Sequence, residues 1–118
     1  MEIKFRVLYY GEMLFTDRGE FVIYDNTPRF NEYGDMIGMG KEAEETLEQY
    51  IGLSDINNIE IYKGDKVKCK DIYKGISFIG IVDFQDASFI IDSGLIQHYR
   101  WSDYEVEIIG HIRRSNGE

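Results

Sequence analysis

Ile3, Phe5 and Val7 alternate with Lys4, Arg6 and Leu8, a period of two that predicts a strand over residues 2–10, ended by Gly11. Phe21 to Tyr24 is a short β-favouring run between Gly19 and the turn sequence Asp25-Asn26-Thr27-Pro28, and reads as a second strand. Residues 29–40 carry Gly34, Gly38 and Gly40 without a clear period and read as loop with at most a short strand. The spacing then changes. Ala43, Leu47, Tyr50 and Ile51 fall at i, i+4, i+7 and i+8, one face of a helix, and Glu42, Glu44, Glu45 and Glu48 lie mainly on the rest. This predicts one helix over residues 41–51, with Gly52 as its left-handed cap and Leu53 packed back as the cap's apolar partner.

Asp55-Ile56-Asn57-Asn58 reads as a turn, since Asn tolerates positive φ. Gly64-Asp65 makes a corner that feeds the next strand. Lys66, Val67, Lys68, Cys69 and Lys70 alternate cleanly, with Val67 and Cys69 facing inward and the lysines outward. Tyr73-Lys74-Gly75 is a turn, and Ile76 to Phe84 a long β-rich run in which Gly80 marks a bulge or bend. Asp86-Ala87 turns into Ser88–Asp92, and Ser93-Gly94 turns again. Glu105 to Ile108 alternate as a closing strand, and Gly110 precedes a last segment, His111–Arg114. Short strands joined by tight turns must curl to hide their edges. The expected fold is mainly β (α+β): an N-terminal β arm, one helix, and an SH3-like C-terminal barrel from Ile61 onward.

Composition narrows what such a fold can do. A chain of 118 residues holds one domain, or one with an appended arm. The 16 Tyr and Phe residues (9 and 7) suit strands. With Cys69 as the one cysteine, no disulfide framework forms within the chain and no cysteine zinc cluster assembles, which fits a reducing compartment, the cytosol. Neither a signal peptide nor a membrane span is expected. The net charge is −9, and it is uneven. Residues 1–60 hold 5 basic and 13 acidic side chains (−8), residues 61–118 hold 8 and 9 (−1). An acidic chain is a poor general binder of nucleic acid, although a local basic patch in the second half remains open.

No constellation carries recognisable catalysis. Asp55, Asn57 and Glu60 fail as a calcium loop, because Lys66 stands where a bidentate Glu is required. Cys69 reads as a small buried hydrophobe, and neither His98 nor His111 lies in a motif with it. Asp83, Asp86 and Asp92 border turns, where Asp serves its own backbone. The helix glutamates read as a solvated face, or else as a docking surface for a basic partner. No metal or cofactor is expected. Two features carry binding hypotheses. Lys63, Lys66, Lys68, Lys70 and Lys74 form either an aggregation-blocking charged face, partly neutralised by Glu105 and Glu107, or a surface for nucleic acid or an acidic partner. Tyr99, Arg100, Trp101 and Tyr104 either plug the barrel end or contact a protein partner or a second copy.

Three segments also resemble a known family: Ile3-Lys4-Phe5-Arg6; Leu47-Glu48-Gln49-Tyr50-Ile51-Gly52-Leu53 running through Asp55, Asn57, Glu60-Ile61-Tyr62-Lys63-Gly64-Asp65 to Val67; and Tyr104-Glu105-Val106 with Ile109-Gly110-His111-Ile112. Their order and spacing resemble the YopX family of phage and prophage proteins over about two thirds of the chain, from residue 47 to the C-terminus above all. Asn58 stands where relatives usually have Gly, Ile51 where they have Thr, and residues 8–40 show little of the pattern. The resemblance implies a phage-related origin, an SH3-like C-terminal domain (residues 47–118, after an arm at 1–46) and no established molecular activity. It brings no catalytic or ligand residues. The expected protein is therefore a non-enzymatic accessory protein that binds a protein partner or itself, or alternatively a nucleic-acid-associated regulator.

Overall fold

The structure is a computed structural model that describes residues 3–9, 11–24, 27–32, 35–38 and 47–112. The chain divides into two compact units, Met1–Tyr50 and Ile51–Glu118.

In the first unit, β1 (Phe5–Tyr9) pairs antiparallel with β2 (Glu12–Phe15), with Val7 opposite Leu14. A 3-10 turn, Thr16–Arg18, follows. β3 (Val22–Tyr24), β4 (Thr27–Glu32) and β5 (Asp35–Gly38) form a three-stranded antiparallel meander. Val7 and Phe21 are the buried centre, with Phe5, Tyr9, Leu14, Ile23 and Leu47 around them. The strands expected near residues 2–10 and 21–24 are present. The loop expected over residues 29–40 is instead largely the β4–β5 hairpin, with Arg29 opposite Gly38 and Glu32 opposite Asp35. Cross-strand pairing supplies order that the glycines and the missing period concealed.

The helix expected over residues 41–51 is not formed where the chain is described. Glu48–Ser54 is a strand, β6, and residues 41–46 lie outside the described residues. A partner 42 positions away explains the reversal. Glu48, expected on a solvated face, is buried, and its Oε1 accepts a hydrogen bond from Arg6 Nε at 2.8 Å. Gln49 and Glu48 pair with Phe5 and Arg6 of β1, and the Tyr50 N–H donates to the Lys4 carbonyl at 2.9 Å. A helix offers neither partner, so tertiary pairing overrides the local spacing. Gly52 does take a left-handed φ of 92°, but inside a strand and not beyond a helix. Leu53, freed from any cap, is exposed.

The second unit is one curled antiparallel sheet plus the β6–β7 hairpin. β8 (Asp65–Asp71), β9 (Ser77–Gln85), β10 (Ser88–Asp92), β11 (Gln97–His98) and β12 (Tyr104–His111) lie in the order β11-β10-β9-β8-β12. The end of β6 lies beside β7 (Glu60–Tyr62). Ile51, Ile61, Val67, Cys69, Val82, Ile91 and Val106 form the core, and Phe78, Phe89, Trp101, Tyr104 and Ile108 pack on it. β8 follows its sequence pattern residue by residue: Val67 and Cys69 are buried, Lys66, Lys68 and Lys70 exposed. The corner at Gly64-Asp65 is also present. The Asp65 carboxylate accepts the Tyr62 N–H at 2.8 Å, while the Gly64 N–H donates to the Val82 carbonyl at 2.8 Å and bends the chain over β9.

Two details of this sheet differ from expectation. Gly80 makes no bulge, because it stays in register opposite Val67. It is glycine for want of room: a Cβ there would lie 2.7 Å from Ile91 Cγ2 and 2.9 Å from the Asp92 carbonyl oxygen. The register shift falls on β12 instead, between Ile108 and Gly110, and the strand runs on through His111.

Candidate functional site

The site is built around the turn that joins β6 to β7. The Asp55 carboxylate is buried and accepts three backbone N–H groups: Asn57 and Ile59 at 2.9 Å on Oδ1, and Ile108 at 3.0 Å on Oδ2. The Ile56 N–H donates to the Val106 carbonyl at 2.9 Å. Asn58, with φ 63°, completes the turn in the left-handed region that asparagine tolerates better than most residues. The carboxylate is thus engaged by backbone donors, and it pins the turn against the outer edge of β12.

Across from this turn, Trp101–Asp103 forms a 3-10 turn leading into β12. Trp101 is half-buried, and its indole N–H donates to the Phe89 carbonyl at 3.0 Å, so it seals part of the edge of β10. Between the two turns lies a groove of about 520 Å³, lined chiefly by Leu53, Ile56, Ile61, Trp101, Tyr104 and Val106. Ile56 and Glu105 also line a second depression of about 420 Å³, which holds Lys68, Lys70 and Glu107. An apolar groove and a charged one therefore share a wall. The two binding features of the sequence, the aromatic segment and the lysine strand, meet there.

The lysine face has the expected register. Glu105 stands opposite Lys70 and Glu107 opposite Lys68, whereas Lys66 faces Gly110. Among the described residues, none of Lys63, Lys66, Lys68, Lys70 and Lys74 forms an ion pair. Lys63 and Lys74 sit in turns away from the strand face. Of the aromatic set, Tyr99 and Arg100 are exposed, with Arg100 Nε 3.6 Å from Asp103 Oδ2. Trp101 and Tyr104 line the groove.

Behind Tyr104 lies a polar relay. Phe78 stacks on His98 at 4.0 Å between ring centroids and meets Tyr104 edge-on at 5.2 Å. His98 Nδ1 lies 3.1 Å from the Tyr104 hydroxyl and Nε2 3.1 Å from Ser93 Oγ. The proton inventory orders the chain. Ser93 has one hydroxyl proton and donates it to the Ile96 carbonyl at 3.0 Å. With that proton placed there, a neutral imidazole would donate from Nε2 to Ser93 and accept at Nδ1 from Tyr104. This runs opposite to an activated serine, whose proton would go to the imidazole. Burial, with smaller contributions from neighbouring charges led by Asp103, pushes the Tyr104 hydroxyl pKa upward and keeps it a donor.

Cys69 is fully buried between Phe78 and Val106, and burial pushes its thiol from 9.0 up to about 12. The folded protein is expected to resist iodoacetamide at pH 8 and to react stoichiometrically once unfolded; rapid native alkylation would contradict this placement. A raised folded pKa contributes stability that is complete below the unfolded value. Stability should therefore fall as pH rises from 9.0 toward about 12. The turn aspartates serve local backbone: Asp83 accepts the Phe84 N–H at 2.8 Å, and Asp92 the Gly94 N–H at 2.8 Å. Asp86 sits in the two-residue β9–β10 turn with φ 51°. Glu42, Glu44 and Glu45 lie outside the described residues, and Glu48 is the buried partner of Arg6.

Sequence reasoning missed Leu53 and Ile56 as groove residues. The helical spacing ties Leu53 to a cap, and its neighbours Asp55, Asn57 and Asn58 make Ile56 part of a turn. A large apolar side chain inside Asp-Ile-Asn-Asn was the available signal, since turns there favour polar residues.

A family model described as YopX protein matches residues 4–115. The chain belongs to the YopX family. The match takes in residues 8–40, outside the three segments that carry the resemblance. The fold is also similar to the crystal structure of protein yopX from Bacillus subtilis, with a TM-score of 0.63, 19% identity, and coverage of 92% of this chain and 91% of that one. At that identity the likeness to yopX is one of fold. No curated protein matches the chain. All the groove-lining residues fall within the matched range; Leu53 to Ile61 and Tyr104 to Val106 belong to two of the three segments named above, whereas Trp101 and Ser102 lie outside them.

Proposed function

We propose that this YopX protein is a phage- or prophage-encoded, non-enzymatic module that binds protein, a second copy or a partner, through the groove beside Trp101. The C-terminal unit is read as an SH3-like barrel working in the host cytoplasm. The observation that carries the reading is the apolar groove itself. Leu53 and Ile56 are left 43% and 59% exposed around the half-buried Trp101 and Tyr104, beside Lys68 and Lys70, which form no ion pair among the described residues. Soluble chains seldom expose such grouped apolar surface without a contact to cover it, and Trp and Tyr are favoured anchors of protein contacts.

The test compares wild type with Ile56→Glu, purified from the producing host and weighed by light scattering and mass spectrometry. Ile56 is exposed, so the variant should fold normally. The reading expects a species, either a second copy or a foreign protein, that the wild type holds and the variant loses. Retention of every bound species by the variant, or a bare 13.8 kDa monomer from both, overturns it.

A second reading, a nucleic-acid-associated regulator, has in its favour Lys66, Lys68 and Lys70, exposed on one strand face and without an ion pair among the described residues. It requires binding that weakens steeply with salt. A gel shift absent at low salt removes it.

A further inference from the structure

The β8–β9 turn is unusual for what it displays. Ile72, Tyr73 and Ile76 are 51%, 77% and 62% exposed. The turn that carries them is tightly bonded. Asp71 Oδ1 accepts the Tyr73 N–H at 2.8 Å and the Lys74 N–H at 2.9 Å. The Asp71 N–H donates to the Ile76 carbonyl, and the Gly75 N–H to the Asp71 carbonyl, both at 2.8 Å. Those backbone donors, helped by the Lys74 charge, hold the Asp71 carboxyl below its ordinary pKa. Three large apolar side chains are thus presented on a fixed tip, with little ordering left to lose on contact.

The tip adjoins the groove. Asp71 pairs with Tyr104, and the Ile72 N–H donates to the Asp103 carbonyl at 3.0 Å, next to Trp101. A convex apolar feature and a concave apolar one therefore sit side by side on one unit. Their charges differ in sign. Lys74 sits on the tip, where its charge acts on Asp71, and Glu105 lines the groove opposite Lys70 of β8; among the described residues neither Lys74 nor Glu105 forms an ion pair. A two-fold contact requires one surface to complement itself, and this surface does so in shape and in charge.

We propose that the occupant of the groove is a second copy of this chain, docked reciprocally. The Ile72-Tyr73-Ile76 tip of each copy enters the Leu53–Ile56–Trp101 groove of the other, and Lys74 of each meets Glu105 of the other. Three side chains per tip, the groove they cover, and the two-fold together bury on the order of 1,200 Å², the lower end of a standard interface. This rests on the self-association branch of the function proposed above.

Sedimentation velocity of the full chain over a wide concentration range, with a charge-reversal cycle, tests it. The wild type should dimerise. Lys74→Glu alone and Glu105→Lys alone should each weaken the dimer by about tenfold, and the double variant should restore it. Tyr73→Asp should give a monomer with unchanged circular dichroism and the melting temperature of the dilute, dissociated wild type. A dimer indifferent to Tyr73→Asp, or a double variant no tighter than the singles, overturns the docking mode while leaving self-association standing. A wild type that stays monomeric throughout overturns the dimer, and a foreign protein lost by Ile56→Glu would then mark the partner branch as correct.

Discussion

Replacing Asp55 by alanine is expected to cost about 4 kcal/mol of folding free energy, a large share of the ~5–15 kcal/mol that holds a domain of this size. The estimate follows from three charge-assisted hydrogen bonds on one buried carboxylate. Two of the donors, the N–H groups of Asn57 and Ile59, sit in an exposed turn and can regain water once the carboxylate is gone. The third, from Ile108, lies on the edge of β12 and loses the group that anchored the turn to the sheet. Asp55→Asn should cost less. Its single carbonyl oxygen can replace Oδ1 for Asn57 and Ile59, but its NH2 would face the Ile108 N–H. Urea unfolding followed by circular dichroism separates the cases. The expected order is wild type, then Asp55→Asn, then Asp55→Ala, and an alanine variant within about 1 kcal/mol of wild type would contradict the role given to this carboxylate. The groove depends on the same anchor, so Asp55→Ala should also impair any groove-dependent association.

Gly80→Ala is expected to cost about 3 kcal/mol, through overpacking and not through backbone conformation. The new methyl would meet Ile91 Cγ2 at 2.7 Å and the Asp92 carbonyl oxygen at 2.9 Å. Ile91 can be relieved, because leucine carries no Cγ2 branch. The Asp92 oxygen cannot move freely, since Asp92 is paired with Ile81 in the β9–β10 ladder. The double variant Gly80→Ala/Ile91→Leu should therefore recover only part of the loss. Full recovery in thermal unfolding would show that the side chain alone sets the limit, and no loss in the single variant would show that the strands have room to separate.

These two positions illustrate what the sequence makes legible. Alternation in Lys66–Lys70 predicts both the strand and its buried face, because each residue's environment there follows from its neighbours two places away. The corner at Gly64-Asp65 and the turn at Asp55–Asn58 are likewise local, and glycine, aspartate and asparagine announce them. Residues 41–51 mislead for the opposite reason. Their helical spacing is local, but Glu48 finds Arg6 and Gln49 finds Phe5 across more than 40 residues, and no window of sequence contains both partners. Gly80 shows the same limit in small. Its glycine is noticeable, yet the reason for it is a side chain and a carbonyl on the next strand. The candidate site divides in the same way. Trp101, Tyr104 and the lysines are visible by residue type. Their meeting is not, because it depends on β12 pairing with β8, which brings Glu105 to Lys70 and Glu107 to Lys68. The apolar wall is hidden in two ways, Leu53 by the mistaken helix cap and Ile56 by its place in a turn.

Trp101 offers the most direct measurement, because it is the chain's single tryptophan and it lines the groove. Its emission maximum and its quenching by acrylamide can be followed as the protein concentration rises through the dimerisation range. If a second copy fills the groove, emission should shift to the blue and quenching should fall with concentration, and Tyr73→Asp should keep the dilute-solution values throughout. Emission and quenching that stay constant while sedimentation shows dimers forming would place the contact elsewhere and contradict the account.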